Sequence, residues 1–231
     1  MLSTVFFAAF VRATVGFGDA ILTVPLLTLI LGLDSAAPLV GLISVSTALL
    51  MSGLSWREMD LRSVLPLLAA AVVGIPLGVF GLRSLGGAWL IHVLGAFLAL
   101  FGVYRLVRPE VPGITHPLLA PVLGFVAGMF GGAFNISGPF AVLYGSLRRW
   151  PPEVFRASLQ GYFIVTSVTI AASQGLAGLW TVRIWGLYGL ALPLTFAAIF
   201  LGNALARRVA GERLERLISF AVVALGITLM V

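Results

Sequence analysis

Residues 117–147 read PLLAPVLGFVAGMFGGAFNISGPFAVLYGSL and carry no charged side chain. As one straight helix the stretch would run roughly 45 Å, at about 1.5 Å per residue. That is too long for one crossing of a hydrocarbon core about 30 Å thick, and too short for two. It is also interrupted, by Gly131-Gly132 near its middle and then by Pro139. Glycine weakens a helix, and proline removes a backbone donor and clashes with the preceding turn. The pattern predicts two half-helices joined near the bilayer midplane, a re-entrant hairpin. Residues 2–33 show the same pattern: Gly16-Phe17-Gly18, then Pro25, with Arg12 and Asp19 beside the break.

The rest of the chain fits a membrane. It has 231 residues, of which 60% are hydrophobic and 10% charged, and its mean hydropathy is +1.12. Soluble domains carry about 25% charged residues, so a soluble fold is excluded, and disorder with it. Apolar stretches with at most a few charges near their ends predict six full crossings at residues 36–56, 63–82, 84–107, 155–180, 184–206 and 214–231. Trp56, Trp89, Trp150, Trp180 and Trp185 fall at or near the ends of these segments, where an amphipathic ring prefers to sit. The absence of cysteine excludes disulfides, thiolate metal sites and cysteine catalysis. With only two histidines, no metal site or cofactor is expected. The net charge of +6 comes from scattered arginines at segment ends, which does not make a nucleic-acid surface.

The two broken regions superpose. Gly18 falls on Gly132, Thr23 on Ser137 and Pro25 on Pro139 at one constant spacing. Further along, Gly78, Arg83, Leu90 and Gly102 fall on Gly202, Arg207, Leu214 and Gly226 at another. The chain reads as a duplication, 1–110 and 111–231, each half a hairpin plus three crossings. If each broken region crossed once, the flanking arginines would divide 8 to 5 between the two faces. If each dips in and returns, only Arg83 and Arg183 lie on one face and 11 on the other, with Arg12 inside the membrane. The positive-inside rule favours the second arrangement. The expected fold is therefore an all-α polytopic membrane protein of two inverted repeats, in a bacterial inner membrane, with both termini outside.

Inverted repeats with broken helices are a transporter design. Irregular backbone is tolerated at membrane depth only where protein covers it or where it lines a wet cavity. The second half of each hairpin aims N–H groups at the midplane, which favours an anion. Gly16, Gly18, Gly131 and Gly132 would let it approach the backbone. Thr23, Asn135 and Ser137 offer polar groups, with Gln160 a further candidate; alternatively Thr23, Asn135 and Ser137 cap the half-helices. Arg12 is either a substrate contact or the partner of Asp19 across the break. Asp19 is a candidate coupling carboxylate. Alternating access around a midplane site between the hairpins is expected. The partners it admits are a small anion, the bilayer and a second copy of the chain.

The run Arg12-Ala13-Thr14-Val15-Gly16-Phe17-Gly18-Asp19-Ala20 leading to Val24-Pro25-Leu26-Leu27 resembles the first motif of the sulfite exporter TauE/SafE family. Gly128-Met129-Phe130-Gly131-Gly132-Ala133 leading to Gly138-Pro139 is similar to its second. The resemblance implies a permease for sulfite, sulfonates or related small organosulfur anions. The alternatives are an anion channel of the same architecture or an intramembrane enzyme. Ser137-Gly138 lacks the rest of a serine-nucleophile motif, and no HExxH sequence is present, so no catalytic residue is expected.

Overall fold

A computed structural model describes residues 1–15, 19–55, 64–85, 87–107, 113, 116–209 and 212–230. Ten helices account for most of them: α1 Leu2–Val15, α2 Asp19–Leu31, α3 Leu33–Ser55, α4 Leu65–Ser84, α5 Gly87–Val107, α6 Leu119–Phe134, α7 Gly138–Leu147, α8 Pro152–Leu176, α9 Val182–Val209 and α10 Glu212–Met230. Their ends follow local chemistry. Pro152 opens α8, where its missing N–H is no loss. Gly178 closes it in the left-handed region, with Leu179 N–H bonding Gln174 O at 3.0 Å and Gly178 N–H bonding Gly175 O at 3.0 Å. Gly32, at φ +76°, ends α2 in the same way, and its carbonyl accepts from Ala36 in the first turn of α3.

Among the described residues, five helices are long and apolar enough to cross a membrane, within α3, α4, α5, α8 and α9. The sixth expected crossing, residues 214–231, lies in α10, whose apolar part, Arg216–Met230, is shorter. Its first turns are occupied by Glu212, Arg213, Glu215 and Arg216, which leaves fewer residues for the hydrocarbon. Phe80, Leu100, Phe200 and Phe220 are among the large apolar side chains left exposed. In water these would be an aggregation surface; in a bilayer they face lipid.

The chain forms two compact units, one of Met1–Ile43, Leu85–Pro109 and Trp180–Val231, the other of Ser44–Ser84 and Glu110–Leu179. In the second unit, α4 packs along α6 through glycine faces. A Cβ on Gly124, Gly128 or Gly132 would fall within 2.2 Å of Leu67 O, 2.2 Å of Ala71 O or 2.1 Å of Ile75 O, in that order. Gly74 and Gly78 are equally close to Phe125 O and Met129 O, at 2.3 and 2.1 Å. The rising order of partners makes α4 and α6 parallel. Small residues at this spacing let two backbones touch, which is how membrane helices associate without a hydrophobic drive.

In the first unit, α5 packs on α10 and α1 on α9. A Cβ on Gly95 would meet Gly226 O at 2.7 Å and Met230 Cγ at 2.8 Å; one on Gly102 would meet Val223 and Ser219 O. As one number rises the other falls, so α5 and α10 are antiparallel. Gly202 of α9 sits against Ala13 Cβ and Phe10 O of α1.

The second broken region does not break where expected. α6 runs through Gly131-Gly132 and ends at Phe134. Contact with α4 needs Gly132 to be helical, and that packing outweighs glycine's helix penalty of about 1 kcal/mol. The break falls at Asn135-Ile136-Ser137. In the first broken region α1 ends at Val15 and α2 begins at Asp19. Gly16 and Gly18 lie outside the described residues. His92 bonds Ala88 O of its own helix at 2.7 Å.

Candidate functional site

Asn135 ends α6 in the left-handed conformation, φ 57° and ψ 19°. Asparagine is one of the few residues that reach this region at small cost. Its N–H bonds Gly131 O at 2.8 Å, and the next N–H, from Ile136, bonds Phe130 O at 3.3 Å. The terminal carbonyls of α6 are thereby occupied while the chain turns. Phe130 then packs against Phe134 of its own helix and Phe140 of α7, at 5.6 and 5.2 Å between ring centroids. The two arms are held together by aromatic contact across the break.

α7 begins at Gly138, with Ser137 as its N-cap residue and Pro139 second. Pro139 therefore starts a helix rather than breaking one, at a position where its missing N–H matters least. Ser137 makes no side-chain cap hydrogen bond, which removes capping, one of the two roles its position allowed. It is 4% exposed. The first turn of α7 holds no acidic residue, so nothing of its own neutralises the positive end of the helix. Gly131 lies beneath: a Cβ there would stand 3.2 Å from Ser137 Cβ and 3.2 Å from Ile170 Cδ1. Gly138 faces the Phe163 ring at 3.2 Å.

The wall facing this break is α8. Ser158, Tyr162, Thr166 and Gln174 are buried along it at steps of one or two turns. Thr166 Oγ1 donates back to Tyr162 O at 2.8 Å. Tyr162 is fully buried in a cluster with Leu67, Ala71, Ala141 and Tyr144. Its hydroxyl lies beside Ser137 without a well-formed hydrogen bond. None of these four α8 residues stood out in the sequence, although polar residues recurring every fourth position in an apolar span were the available signal. Gln160, which did, is half-buried on the same helix.

The structure thus gathers Gly131, Asn135, Ser137 and Pro139 around one break, while Gly132 serves the α4 contact. In the other unit, Thr23 is buried within α2, and Pro25 lies inside that helix. Proline there leaves a carbonyl one turn back without its helical donor. Arg12 stands in the last turn of α1 and Asp19 is the first residue of α2. The N-terminus of α2 therefore begins with a carboxylate, and that of α7 does not.

Helices that are apolar outside, spans of membrane length and half-helices meeting at breaks define an integral membrane protein of the transporter kind. The chain belongs to the family described as sulfite exporter TauE/SafE, which matches residues 1–229. It is 26% identical over 198 residues to the "Probable inner membrane transporter protein TsaS" of Comamonas testosteroni, covering 83% of this chain and 81% of that one. No solved structure matches.

Proposed function

We propose that the protein carries small sulfur oxyanions, sulfite or organosulfonates, across the inner membrane by alternating access, with the start of α7 as an anion site. One observation carries this: the N-terminus of α7 opens inside an uncharged segment, has no acidic residue in its first turn, and is headed by a buried serine that does not cap it. Backbone N–H groups left without helical acceptors favour an anion there. The family's description supplies the chemistry of the substrate. Asn135 is a further contact at this break in this reading; Arg12 and Thr23 are anion contacts at the first break, and Asp19 a coupling group there. No bond is made or broken.

Inverted repeats are supported by the helix directions. The duplication pairs α5 with α10, which are antiparallel; it also maps Gly95 onto Ser219 and Gly102 onto Gly226. The contact of Gly95 with Gly226 then becomes that of Ser219 with Gly102, and both are present. Such an exchange is what a two-fold axis in the membrane plane produces. Two spans, α8 and α9, lie between the second hairpin and α10. A hairpin that returns to its own face leaves α10 opposed to α5, whereas a single crossing would leave them parallel. Packing α1 on α9 and α6 on α4 follows the same exchange.

The test is flux in proteoliposomes. Sulfite, methanesulfonate and sulfate are offered with and without a pH gradient. Saturable uptake of sulfite or methanesulfonate is expected. Absence of uptake of all three would sink the proposal, and flux that never saturates would indicate a channel.

A further inference from the structure

Two hydroxyls on α8 are left over by both the fold and the transport reading. Ser158 and Tyr162 are each 0% exposed and stand one turn apart. Neither hydroxyl oxygen has a well-formed hydrogen-bond partner. Buried polar groups are nearly always paired, and each exception calls for a reason. Thr166, one turn further, shows the usual solution by bonding its own helix at 2.8 Å. A tyrosine hydroxyl stands too far from its own backbone to do the same. Replacing it with phenylalanine would fit this apolar cluster of Leu67, Ala71, Ala141 and Tyr144, yet the chain places a donor there. That hydroxyl lies beside Ser137, the residue heading α7.

The geometry points to Tyr162 as a substrate-binding residue: its hydroxyl donates to an oxygen of the anion held at the N-terminus of α7, opposite the backbone N–H groups and beside Ser137. The inference rests on the anion site proposed above and names the part of the ligand recognised. A hydroxyl donor and backbone N–H groups call for lone pairs on oxygen, so the S–O end of a sulfite or sulfonate is gripped. The organic tail, where there is one, is not. Residues 157–182 and 117–147 contain no charged side chain, so a neutral donor on this wall strengthens with the low local dielectric.

Uptake of methanesulfonate into proteoliposomes containing the full chain, Tyr162→Phe, Ser137→Ala and the double variant provides the test, alongside thermal unfolding of each. Tyr162→Phe should raise KM about tenfold to hundredfold, the loss of a hydrogen bond to a charged ligand. Its melting temperature should be unchanged or higher, since only an unpaired hydroxyl is removed. The double variant should raise KM by less than the product of the singles, because both hydroxyls serve one oxygen cluster. An unchanged KM in Tyr162→Phe overturns the inference while leaving transport intact. A lowered melting temperature, or failure of this variant to fold, assigns the hydroxyl to the fold and overturns it as well. No uptake of methanesulfonate, sulfite or sulfate by the unaltered chain sinks the transport reading itself.

Discussion

The carbonyl of Ala71 lies where a side chain on Gly128 would begin. A Cβ built there stands 2.2 Å from Ala71 O and 2.9 Å from Ala71 C and Cα. Carbon–oxygen contacts between helices settle at about 3.3–3.6 Å, so Gly128→Ala must separate the two backbones by roughly 1 Å. Gly124 and Gly132 lie one turn to either side, against Leu67 O and Ile75 O, so the separation loosens three turns at once. Overpacking of this kind costs about 1–3 kcal/mol, which for a chain of this size lowers the melting temperature by roughly 2–12 °C. The control is Gly189→Ala on α9, where a Cβ meets nothing within 4 Å. That change should be neutral or stabilise by about 0.4–1 kcal/mol. Tryptophan fluorescence during heating of the detergent-solubilised protein measures both. Adding Gly74→Ala to Gly128→Ala should cost less than the two separately, since the helices have already moved apart. Equal melting temperatures for Gly128→Ala and Gly189→Ala would refute the view that backbone contact between α4 and α6 holds this unit together.

Asn135→Ala should lower stability by about 1–2 kcal/mol, because alanine is strained in the left-handed region, while Asn135→Gly should hold the melting temperature within a degree or two. Equal losses in both would shift the role of Asn135 to its amide. Single cysteines at His116 and Arg148, at either end of the second hairpin, should label from one face of the membrane, and one at Arg83 from the other. Labelling of His116 and Arg148 from opposite faces would exclude a re-entrant segment. Arg12→Gln is expected to abolish anion flux with the protein still folded; normal flux and KM would remove Arg12 from the site.

Charge and glycine made most of the helices legible in advance. Arginines and tryptophans mark where apolar runs stop, so the spans at α3, α4, α5, α8 and α9 fall within a few residues of expectation. That residues 2–33 and 117–147 are each two helices was also readable, since their length excludes one simple crossing. The place of the second break was not. Gly131-Gly132 has the lower helix propensity, but α4 lies against that face and needs it helical. The chain turns instead at Asn135, which tolerates a left-handed backbone, just before Pro139, which suits a helix start. Propensity reads one strand of sequence at a time, and here a neighbour more than fifty residues earlier decided between two candidate turns. Tyr162 escaped notice for a related reason. Tyrosine in an apolar span looks like an ordinary membrane residue until its buried hydroxyl is seen beside Ser137 without a well-formed hydrogen bond.

The glycine faces also set a timetable for biogenesis. α4 is inserted with its carbonyl-lined groove complete, but α6, which fills it, is translated only after α5 and the connection that follows. α1 waits longer still, until α9 emerges. In the interval each groove can be covered only by lipid or by an insertion chaperone. A chain severed between α5 and α6 would give two fragments that each lack their main packing neighbours. They should assemble only when made together in one membrane.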